Sequence, residues 1–382
     1  MKILFLNNLY PPHFLGGYEQ LCMDVLDGLA VKGHDCTVLT STFGISGPIS
    51  GGKIHRLLEL EKSEPTDLLE RYKRTRHNQT ILREIIATAN PDIIFMWNMG
   101  YLNWTLPQIA EEMCPNVAYF LSDLWVVDKY RIPGTNLFKL LIDLRYAFKH
   151  LKLSHVACSC HYLKDDLLQR NVPVRNATII YNAVSLEDYL RIVRKSSRKS
   201  GEILYVGRIE ERKGVHTLLK AFGQIAVKTG LSLTIVGTGE EEYLAFLKGI
   251  INDFNLESLV TFTGQVPRED LAAVFASHDI FVFPSEWEEP FSLTLIMALA
   301  SGIPVIGTLT GGSKEILRPG INCLTYVPSD YRGLAAQIEC LLNNADLCKD
   351  FTLQARQDVQ QFSLATMVDH VEKFLLETCS GD

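Results

Sequence analysis

A segment in the middle of the chain places two cations five positions apart. Arg208 and Lys213 flank a loop within LYVGRIEERKG, residues 204–214. An apolar run that predicts a strand ends at Gly207, and a helical pattern follows the loop. Two positive side chains at the carboxyl end of a strand are suited to clamp a diphosphate and to stabilise charge developing on it. For each cation taken alone, a solvated surface position is the plainer interpretation.

A second segment, FPSEWEEPFS at residues 283–292, interleaves three glutamates with Trp287, Pro290 and Phe291. A strand pattern precedes it, and an apolar helix pattern follows from about Ser292. Carboxylates before a helix are common caps, which is the structural interpretation. The functional interpretation is a site for hydroxyl groups walled by aromatic side chains, in which the first amides of the helix hold a phosphate.

Glycine pairs precede two further helical patterns. Gly16 and Gly17 follow the first apolar run, and Gly311 and Gly312 follow a later one. Glycine lets the backbone approach a ligand closely, and the start of a helix favours anions. A simple turn is the alternative for Gly16 and Gly17, because the segment does not match the GxGxxG pattern of dinucleotide sites.

The elements around these loops follow one pattern. Short apolar runs alternate with longer stretches of helical spacing, which is typical of parallel sheets with helices on both faces. In the first half the predicted strands are residues 3–6, 37–39, 93–96, 117–121, 155–158 and 178–181, and the predicted helices include 18–32 and 68–89. After the basic stretch RIVRKSSRKS, the pattern restarts with strands 203–206, 233–236, 259–262, 280–283 and 305–307 and helices 213–227, 241–254 and about 292–300. Ligands of such sheets bind at the carboxyl ends of the strands, where these loops fall.

The restart predicts an α/β protein with two doubly wound, Rossmann-like domains rather than a single barrel. The predicted boundaries are residues 1–185 for the first domain, 186–200 for a linker, and 201–363 for the second domain. Residues 364–382 form a C-terminal helix with an apolar face, which must pack on another part of the chain. We expect it to pack back toward the N-terminal domain.

Composition narrows the class of protein. The chain has 382 residues, 47% of them hydrophobic, so it can form two cores and is not a disordered protein. Its 37 Lys and Arg against 44 Asp and Glu give a net charge of −7, so we expect no nucleic-acid partner. The nine cysteines are scattered and predict reduced, buried thiols. A zinc site at Cys158 and Cys160, with His155 and His161, is the weaker alternative.

Two stretches bear on the location of the protein. The N-terminal apolar run, residues 3–6, is too short for a secretory signal. Residues 293–312 carry no charge, but Gly302 and Pro304 divide them into a helix, a turn and a strand. We therefore expect a cytoplasmic protein.

Taken together and in order, the motifs resemble a known family. They are Gly16–Gly17, GRIEERKG (207–214), IVGTGEEE (235–242), FTGQVPREDL (262–271), FPSEWEEPFS (283–292) and ALASGIPVIGTLTGG (298–312). This set is similar to the retaining GT-B glycosyltransferases of family four and spans nearly the whole chain. The resemblance implies two Rossmann-like domains facing across a cleft, an acceptor-side N-terminal domain, and a C-terminal domain for a nucleotide-diphosphate-sugar donor. It implies no cofactor and no metal, and consistently the chain has no Asp-x-Asp motif.

The resemblance also assigns roles to residues. It makes Arg208, Lys213 and Glu289 the catalytic group: the two cations neutralise the diphosphate, and the carboxylate lies near the hydroxyls of the donor sugar. The positions that it assigns to donor binding are Gly16, Gly17, Ser122, Asp123, Gly207, Gly237, Gln265, Val266, Pro290, Phe291, Ser292, Leu293, Thr294 and Met297. Gln265 and Val266 would contact the base through backbone atoms.

Three positions depart from the family pattern. Met297 stands where the second glutamate of the E-x7-E motif is expected, and a thioether is too weak an acceptor for ribose hydroxyls. Ser292 replaces the usual glycine after Glu-Pro-Phe. Ser122 replaces the histidine of a His-Asp-x-Trp motif, ahead of Asp123. Ribose recognition is therefore expected to be altered, weakened or supplied elsewhere.

The predicted reaction moves a hexose, with UDP-glucose as the expected donor, to a glycan or a lipid-linked saccharide. A nucleotide-sugar epimerase of the same layout and a non-catalytic sugar-nucleotide binder are the alternatives. The segment 129–152 carries six basic residues against Asp143. It is either a solvated helix face or a contact with an anionic acceptor or the inner face of a membrane, which would make the protein peripheral to the membrane.

Overall fold

The computed structural model describes residues 1–14, 16–49, 52–61, 67–130, 150–194 and 201–381. The chain divides into two compact units. Unit 1 comprises Met1–Asn182 and Leu364–Asp382, and unit 2 comprises Ala183–Ser363. Most of the basic segment 129–152, and residues 195–200 of the predicted linker, lie outside the described residues.

Unit 1 is built on a seven-stranded parallel sheet in the order β3-β2-β1-β4-β5-β6-β7. The strands are β1 Lys2–Asn7, β2 Asp35–Ser41, β3 Ile54–Leu58, β4 Ile93–Asn98, β5 Val117–Leu121, β6 His155–Cys158 and β7 Thr178–Ile179. The helices before the crossing to unit 2 are α1 Gly17–Val31, α2 Leu68–Ala89, α3 Thr105–Met113, α4 Trp125–Tyr130 and α5 His161–Gln169. Every residue of β4 and β5 is buried, as central strands of a parallel sheet must be.

Unit 2 is built on a six-stranded parallel sheet in the order β10-β9-β8-β11-β12-β13. The strands are β8 Glu202–Val206, β9 Ser232–Val236, β10 Val260–Gly264, β11 Ile280–Phe283, β12 Val305–Thr308 and β13 Leu324–Tyr326. The helices are α6 Glu187–Leu190, α7 Val215–Thr229, α8 Glu241–Asp253, α9 Leu271–Ser277, α10 Leu293–Ser301, α11 Tyr331–Asn343 and α12 Ala345–Asp358. Short 3-10 turns occupy Glu211–Lys213, Arg268–Asp270, Gly311–Glu315 and Val359–Phe362.

The final helix, α13 Leu364–Ser380, packs on α1 of unit 1. Its Glu372 accepts hydrogen bonds from Lys32 at 2.7 Å and contacts the His34 ring at 2.9 Å. The hydrogen bond from Lys32 makes the largest contribution to lowering the pKa of Glu372, and the contact with His34 adds to it. The apolar stripe of α13 buries Met367, Val371 and other residues beneath this polar rim.

The predicted α/β class with two parallel-sheet, Rossmann-like units is confirmed, and its details differ in a few places. Strands β3 and β13 were not predicted, and the helix expected from residue 213 begins at Val215, after a 3-10 turn.

In the described ranges, no helix combines the length and apolar character that a bilayer span needs. The same ranges hold no cluster of three metal-ligating side chains. Cys158 and Cys160 are buried there as free thiols, and burial raises the pKa of Cys158 to about 12.

Candidate functional site

The predicted donor residues of unit 2 gather at one edge of its sheet. All six strands run parallel, so the loops that follow them leave from the same edge. Arg208 follows β8, Gly237 follows β9, and Gln265 and Val266 follow β10. The loop that carries Glu289 follows β11. The order of the strands thus brings together residues that are far apart in the sequence.

Two of the three predicted catalytic residues contact each other. Lys213 Nζ lies 2.7 Å from Glu289 Oε2, and the two side chains are 12% and 15% exposed. The Glu289 backbone is fixed on both sides, because its N–H donates to the Trp287 carbonyl at 2.7 Å and its carbonyl accepts from Gly312 N–H at 2.8 Å. The sequence predicted each residue but not their ion pair. In this pair, the cation and the carboxylate are both largely buried.

Arg208 is far more exposed than Lys213. Its side chain is 56% exposed, and its Nη1 lies 2.6 Å from Glu210 Oε1. The other oxygen of Glu210 contacts Arg212 Nε, also at 2.6 Å, and the Arg212 guanidinium lies over the Trp287 ring at 4.2 Å. An exposed pair of this kind contributes little to stability, so Arg208 can exchange its partner at low cost.

Two glycines allow the loops of this edge to approach each other. Gly311 has φ +52°, and a Cβ there would lie 2.0 Å from the Glu289 carbonyl oxygen. Gly237 has φ +140°, and its Cβ would lie 1.9 Å from the Gly207 carbonyl oxygen. Neither position accepts a side chain without movement of the backbone. The position of Glu289 therefore depends on a glycine in the loop after β12.

A polar network under the acidic loop was missed from the sequence. Thr217 Oγ1 donates to Glu286 Oε1 at 2.5 Å, and Glu286 N–H donates to the Arg212 carbonyl at 2.9 Å. His216 places one ring nitrogen 3.6 Å from Glu286 Oε1 and the other 2.9 Å from the Tyr243 hydroxyl. Burial lowers the pKa of His216, against the opposing effect of Glu286. From the sequence, the structural interpretation of Glu286 was only a carboxylate that caps the following helix.

The start of α10 holds the remaining predicted donor residues. Ser292 is the residue before the helix, and its hydroxyl lies 3.1 Å from that of Thr294. Phe291 is buried, with its ring 5.6 Å from that of Phe362. Met297 lies one turn into α10 and is only 7% exposed. Pro290 and Leu293 are half-buried, Gln265 is exposed and Val266 is half-buried.

The predicted residues of unit 1 lie at the carboxyl edge of its own sheet. Gly16 precedes α1 in an extended conformation, and its N–H donates to Glu19 Oε2 at 3.1 Å. The next side chain, Tyr18, places its hydroxyl 3.0 Å from the Trp97 carbonyl and 2.9 Å from that of Phe120. Burial, with a smaller contribution from Asp123, raises the pKa of Tyr18 well above its usual value. Tyr18 thus ties the Gly16–Gly17 turn to β4 and β5.

Ser122 and Asp123 follow β5 at the same edge. Ser122 Oγ accepts from Asn182 Nδ2 at 2.7 Å. Asp123 Oδ1 accepts from Trp125 N–H at 2.8 Å, and its Oδ2 lies 3.4 Å from Asn98 Nδ2. The predicted site residues therefore form two sets, one on each unit.

Comparison with known proteins identifies the family. The family description "Glycosyltransferase Family 4" matches residues 15–188, and "Glycosyl transferases group 1" matches residues 190–358. The chain belongs to this glycosyltransferase family. It is 23% identical over 378 residues to an uncharacterized glycosyltransferase of Methanocaldococcus jannaschii, a match that covers 94% of each chain. Family membership implies a nucleotide-sugar donor and a saccharide acceptor.

Solved structures show the fold that the glycosyltransferase shares. Sucrose-phosphate synthase from Thermosynechococcus elongatus matches with a TM-score of 0.76 at 20% identity and covers 100% of both chains. Anabaena HepE in complex with UDP and glucose matches with a TM-score of 0.73 at 19% identity, covering 98% of this chain and 99% of HepE. These likenesses confirm the GT-B fold.

Proposed function

We propose that this glycosyltransferase transfers a hexose, glucose being the first choice, from a UDP-sugar to a glycan or a lipid-linked saccharide. The proposal includes retention of anomeric configuration and needs neither a metal nor a cofactor. The observation that carries it is the contact of Lys213 with Glu289 at the edge of unit 2 where Arg208 also lies.

The chemistry of this group suits departure of a diphosphate. When the bond between the sugar C1 and the diphosphate oxygen breaks, its electron pair moves to that oxygen, and negative charge grows there. Preorganised cations stabilise such charge most effectively when they are shielded from water, as Lys213 is. Arg208 is 56% exposed, so it can leave Glu210 for the diphosphate at low cost. The same two cations supply positive charge that a divalent ion would otherwise provide.

Glu289 has two functions in this proposal. Its carboxylate orients Lys213 and accepts hydrogen bonds from hydroxyls of the donor sugar. For retention, the acceptor hydroxyl attacks from the side that the diphosphate leaves, and its proton passes to the departing oxygen. No strong protein base is needed, so Ser122 in place of a histidine is compatible with turnover.

Recognition of the nucleotide is the least conventional part of the proposal. Met297 is buried and cannot bind ribose hydroxyls as a carboxylate would. We assign ribose and base binding to backbone groups near Gly237, Gln265 and Val266. The choice of UDP and glucose draws support from HepE, whose structure holds both.

A panel of UDP-, GDP-, ADP- and dTDP-sugars tests the proposal without knowledge of the acceptor. Thermal shift reports binding, and chromatography of the products reports slow hydrolysis. A transferase releases nucleoside diphosphate and free sugar, whereas an epimerase yields a new nucleotide sugar and a binder yields no product. Conversion of no donor at all, or epimerisation alone, would contradict the proposal.

Contact with a membrane is a separate proposal that rests on the sequence of residues 129–152. Flotation with vesicles containing anionic lipid compares the wild type with a variant in which Lys139, Arg145 and Lys149 are replaced by glutamate. The wild type is expected to float and the variant to stay in solution. Wild-type protein that stays in solution would refute this contact.

A further inference from the structure

The two oxygens of the Glu210 carboxylate contact two different arginines. Oε1 lies 2.6 Å from Arg208 Nη1, and Oε2 accepts a hydrogen bond from Arg212 Nε, also at 2.6 Å. Short, charge-assisted contacts of this kind are the ones that arginine makes with phosphate oxygens as well. One anion can therefore contact both arginines, and in this structure that anion is a side chain of the protein itself.

Arg212 is held by more than this carboxylate. Its Cζ lies 4.2 Å from the centroid of the Trp287 ring, and its carbonyl accepts from Glu286 N–H at 2.9 Å. A guanidinium that lies on an indole keeps its place when one hydrogen-bond partner is exchanged for another. Among the described residues, no acceptor contacts the terminal amino groups of Arg212, so these groups can donate to a bound anion.

The loop that carries the three side chains has a fixed main chain. The Tyr205 hydroxyl donates to the Arg208 carbonyl at 2.6 Å. Lys213 N–H donates to the Glu210 carbonyl at 2.9 Å, which closes the 3-10 turn. The side chain of Glu210 is 28% exposed and that of Arg212 is 43% exposed. Rotation of the Glu210 side chain toward water is therefore enough to release both arginines, and the backbone of the site stays in place.

The third cation of this edge has its own partner. Lys213 Nζ lies 2.7 Å from Glu289 Oε2 and 5.8 Å from the centroid of the Trp287 ring. Departure of Glu210 would release the charges of two arginines and leave this ion pair intact. A diphosphate that gains negative charge as the sugar leaves is best stabilised by several cations in fixed positions.

We infer that Arg212 is a third phosphate-binding cation of the donor site, and that the Glu210 carboxylate competes with the donor diphosphate for Arg208 and Arg212. This inference rests on the proposed function, since it concerns the donor of the same reaction. A carboxylate and a phosphate need the same N–H donors and repel each other, so one leaves when the other binds. Because the two ion pairs are partly exposed, the exchange costs little.

Glu210 has a second interpretation, as an organiser that keeps the two arginines in place for the diphosphate. The two roles predict opposite effects when the carboxylate is removed. Loss of a competitor strengthens the binding of a phosphate ligand, whereas loss of an organiser weakens it. Glu211 provides a matched control, because it is the next residue in the same turn and is exposed. The described contacts join it to neither arginine.

Titration calorimetry of the full chain with inorganic pyrophosphate and with UDP tests the inference. The proteins compared are the wild type, Glu210→Gln, Glu211→Gln, Arg212→Met and Arg212→Lys. Both glutamine variants remove one negative charge from the same turn, so a difference between them reports the contact with the arginines. We expect Glu210→Gln to bind pyrophosphate about three- to tenfold more tightly than the wild type, and Glu211→Gln to stay within about twofold. Arg212→Met should bind about tenfold more weakly, with Arg212→Lys between it and the wild type.

Three results would overturn the inference. One is a Glu210→Gln variant that binds pyrophosphate no more tightly than Glu211→Gln does. The second is an Arg212→Met variant that binds as tightly as the wild type, and the third is a wild type that binds no pyrophosphate.

The double variant, Glu210→Gln with Arg212→Met, makes the test independent of folding. Its gain over Arg212→Met should be smaller than the gain of Glu210→Gln over the wild type, because one of the two competing contacts is already absent. Both proteins in this comparison carry Arg212→Met, so any loss of stability is common to them. An undiminished gain would show that Glu210 acts without Arg212, which would contradict the inference.

Donor hydrolysis keeps this test distinct from that of the proposed function. If Glu210→Gln binds pyrophosphate more tightly but the wild type converts no nucleotide sugar, the proposed reaction fails while the anion site stands. If the wild type hydrolyses a nucleotide sugar but Glu210→Gln shows no gain in affinity, the inference fails while the proposed function stands.

Discussion

The ion pair between Lys213 and Glu289 can be tested by a double-mutant cycle with Lys213→Met, Glu289→Gln and the double variant. At 2.7 Å and an effective dielectric constant of about 20, the Coulomb attraction is roughly 6 kcal/mol before the cost of desolvation. Desolvation and the remaining polarity of glutamine offset most of this. We expect a coupling free energy of about 1–3 kcal/mol in the unfolding of unit 2.

The neighbouring pair of Lys314 and Glu288 provides a matched control. Its charges are 3.3 Å apart, but the side chains are 50% and 51% exposed. The equivalent cycle, Lys314→Met with Glu288→Gln, should give a coupling of about 0.2–1 kcal/mol. Urea-dependent hydrogen exchange of peptides from unit 2 measures both cycles in the full chain.

The rate of donor hydrolysis is the second quantity to be measured on the same variants. Lys213→Met should lower the rate of donor hydrolysis by about 100- to 1,000-fold, because it removes a stabiliser of the leaving diphosphate. Lys314→Met should leave the rate unchanged. Equal coupling in the two cycles, or near-normal turnover in Lys213→Met, would refute the reasoning about this pair.

Three further predictions concern other residues. Arg208→Ala should lower the rate of donor hydrolysis by about 100- to 1,000-fold. It should change the unfolding free energy by at most about 0.5 kcal/mol, since the Arg208 side chain is 56% exposed. Equal rates of hydrolysis in the variant and the wild type would contradict this prediction. Gly311→Ala should lose at least about 1–3 kcal/mol of stability by calorimetry, because its φ is +52° and the new Cβ would lie 2.0 Å from the Glu289 carbonyl oxygen. Gly249→Ala, in open space, should lose none. Because the bond from Lys32 lowers the pKa of Glu372, the stabilisation that this carboxylate provides is present above its ordinary pKa of 4.5 and is lost as the pH falls. Hydrogen exchange of α13 should show the advantage over Glu372→Gln shrinking from pH 6 to pH 3, and a constant difference would be the contrary result.

The central strands were predictable because burial on both faces leaves a continuous apolar run. β4 reads IIFMWN and was predicted as residues 93–96. The missed strands, β3 and β13, stand at the ends of their sheets. β3 includes His55 and Arg56, and β13 has three residues, so neither gives a long apolar run. Edge strands are often short and partly polar, because this prevents their unpaired backbone groups from pairing with another chain. The hydrophobic pattern alone therefore identifies them poorly.

The candidate site was predictable as a set of loops but not as a set of contacts. Parallel strands bring Arg208 and Glu289 to one edge wherever their side chains point. The contact of Lys213 with Glu289 depends on the turn at Trp287 and on the close approach of Gly311. Tyr101, in the loop after β4, has φ +59°, and this was not predictable because a tyrosine gives no sequence signal for a left-handed backbone.

The anomeric form of the sugar first released from UDP-glucose tests the central claim most directly. Proton NMR of the full chain with UDP-glucose, recorded before mutarotation is complete, identifies the product. We expect UDP together with α-glucose as the initial product, at a rate that Lys213→Met lowers by about 100- to 1,000-fold. Initial β-glucose would contradict retention. A different nucleotide sugar without free UDP would contradict glycosyl transfer itself.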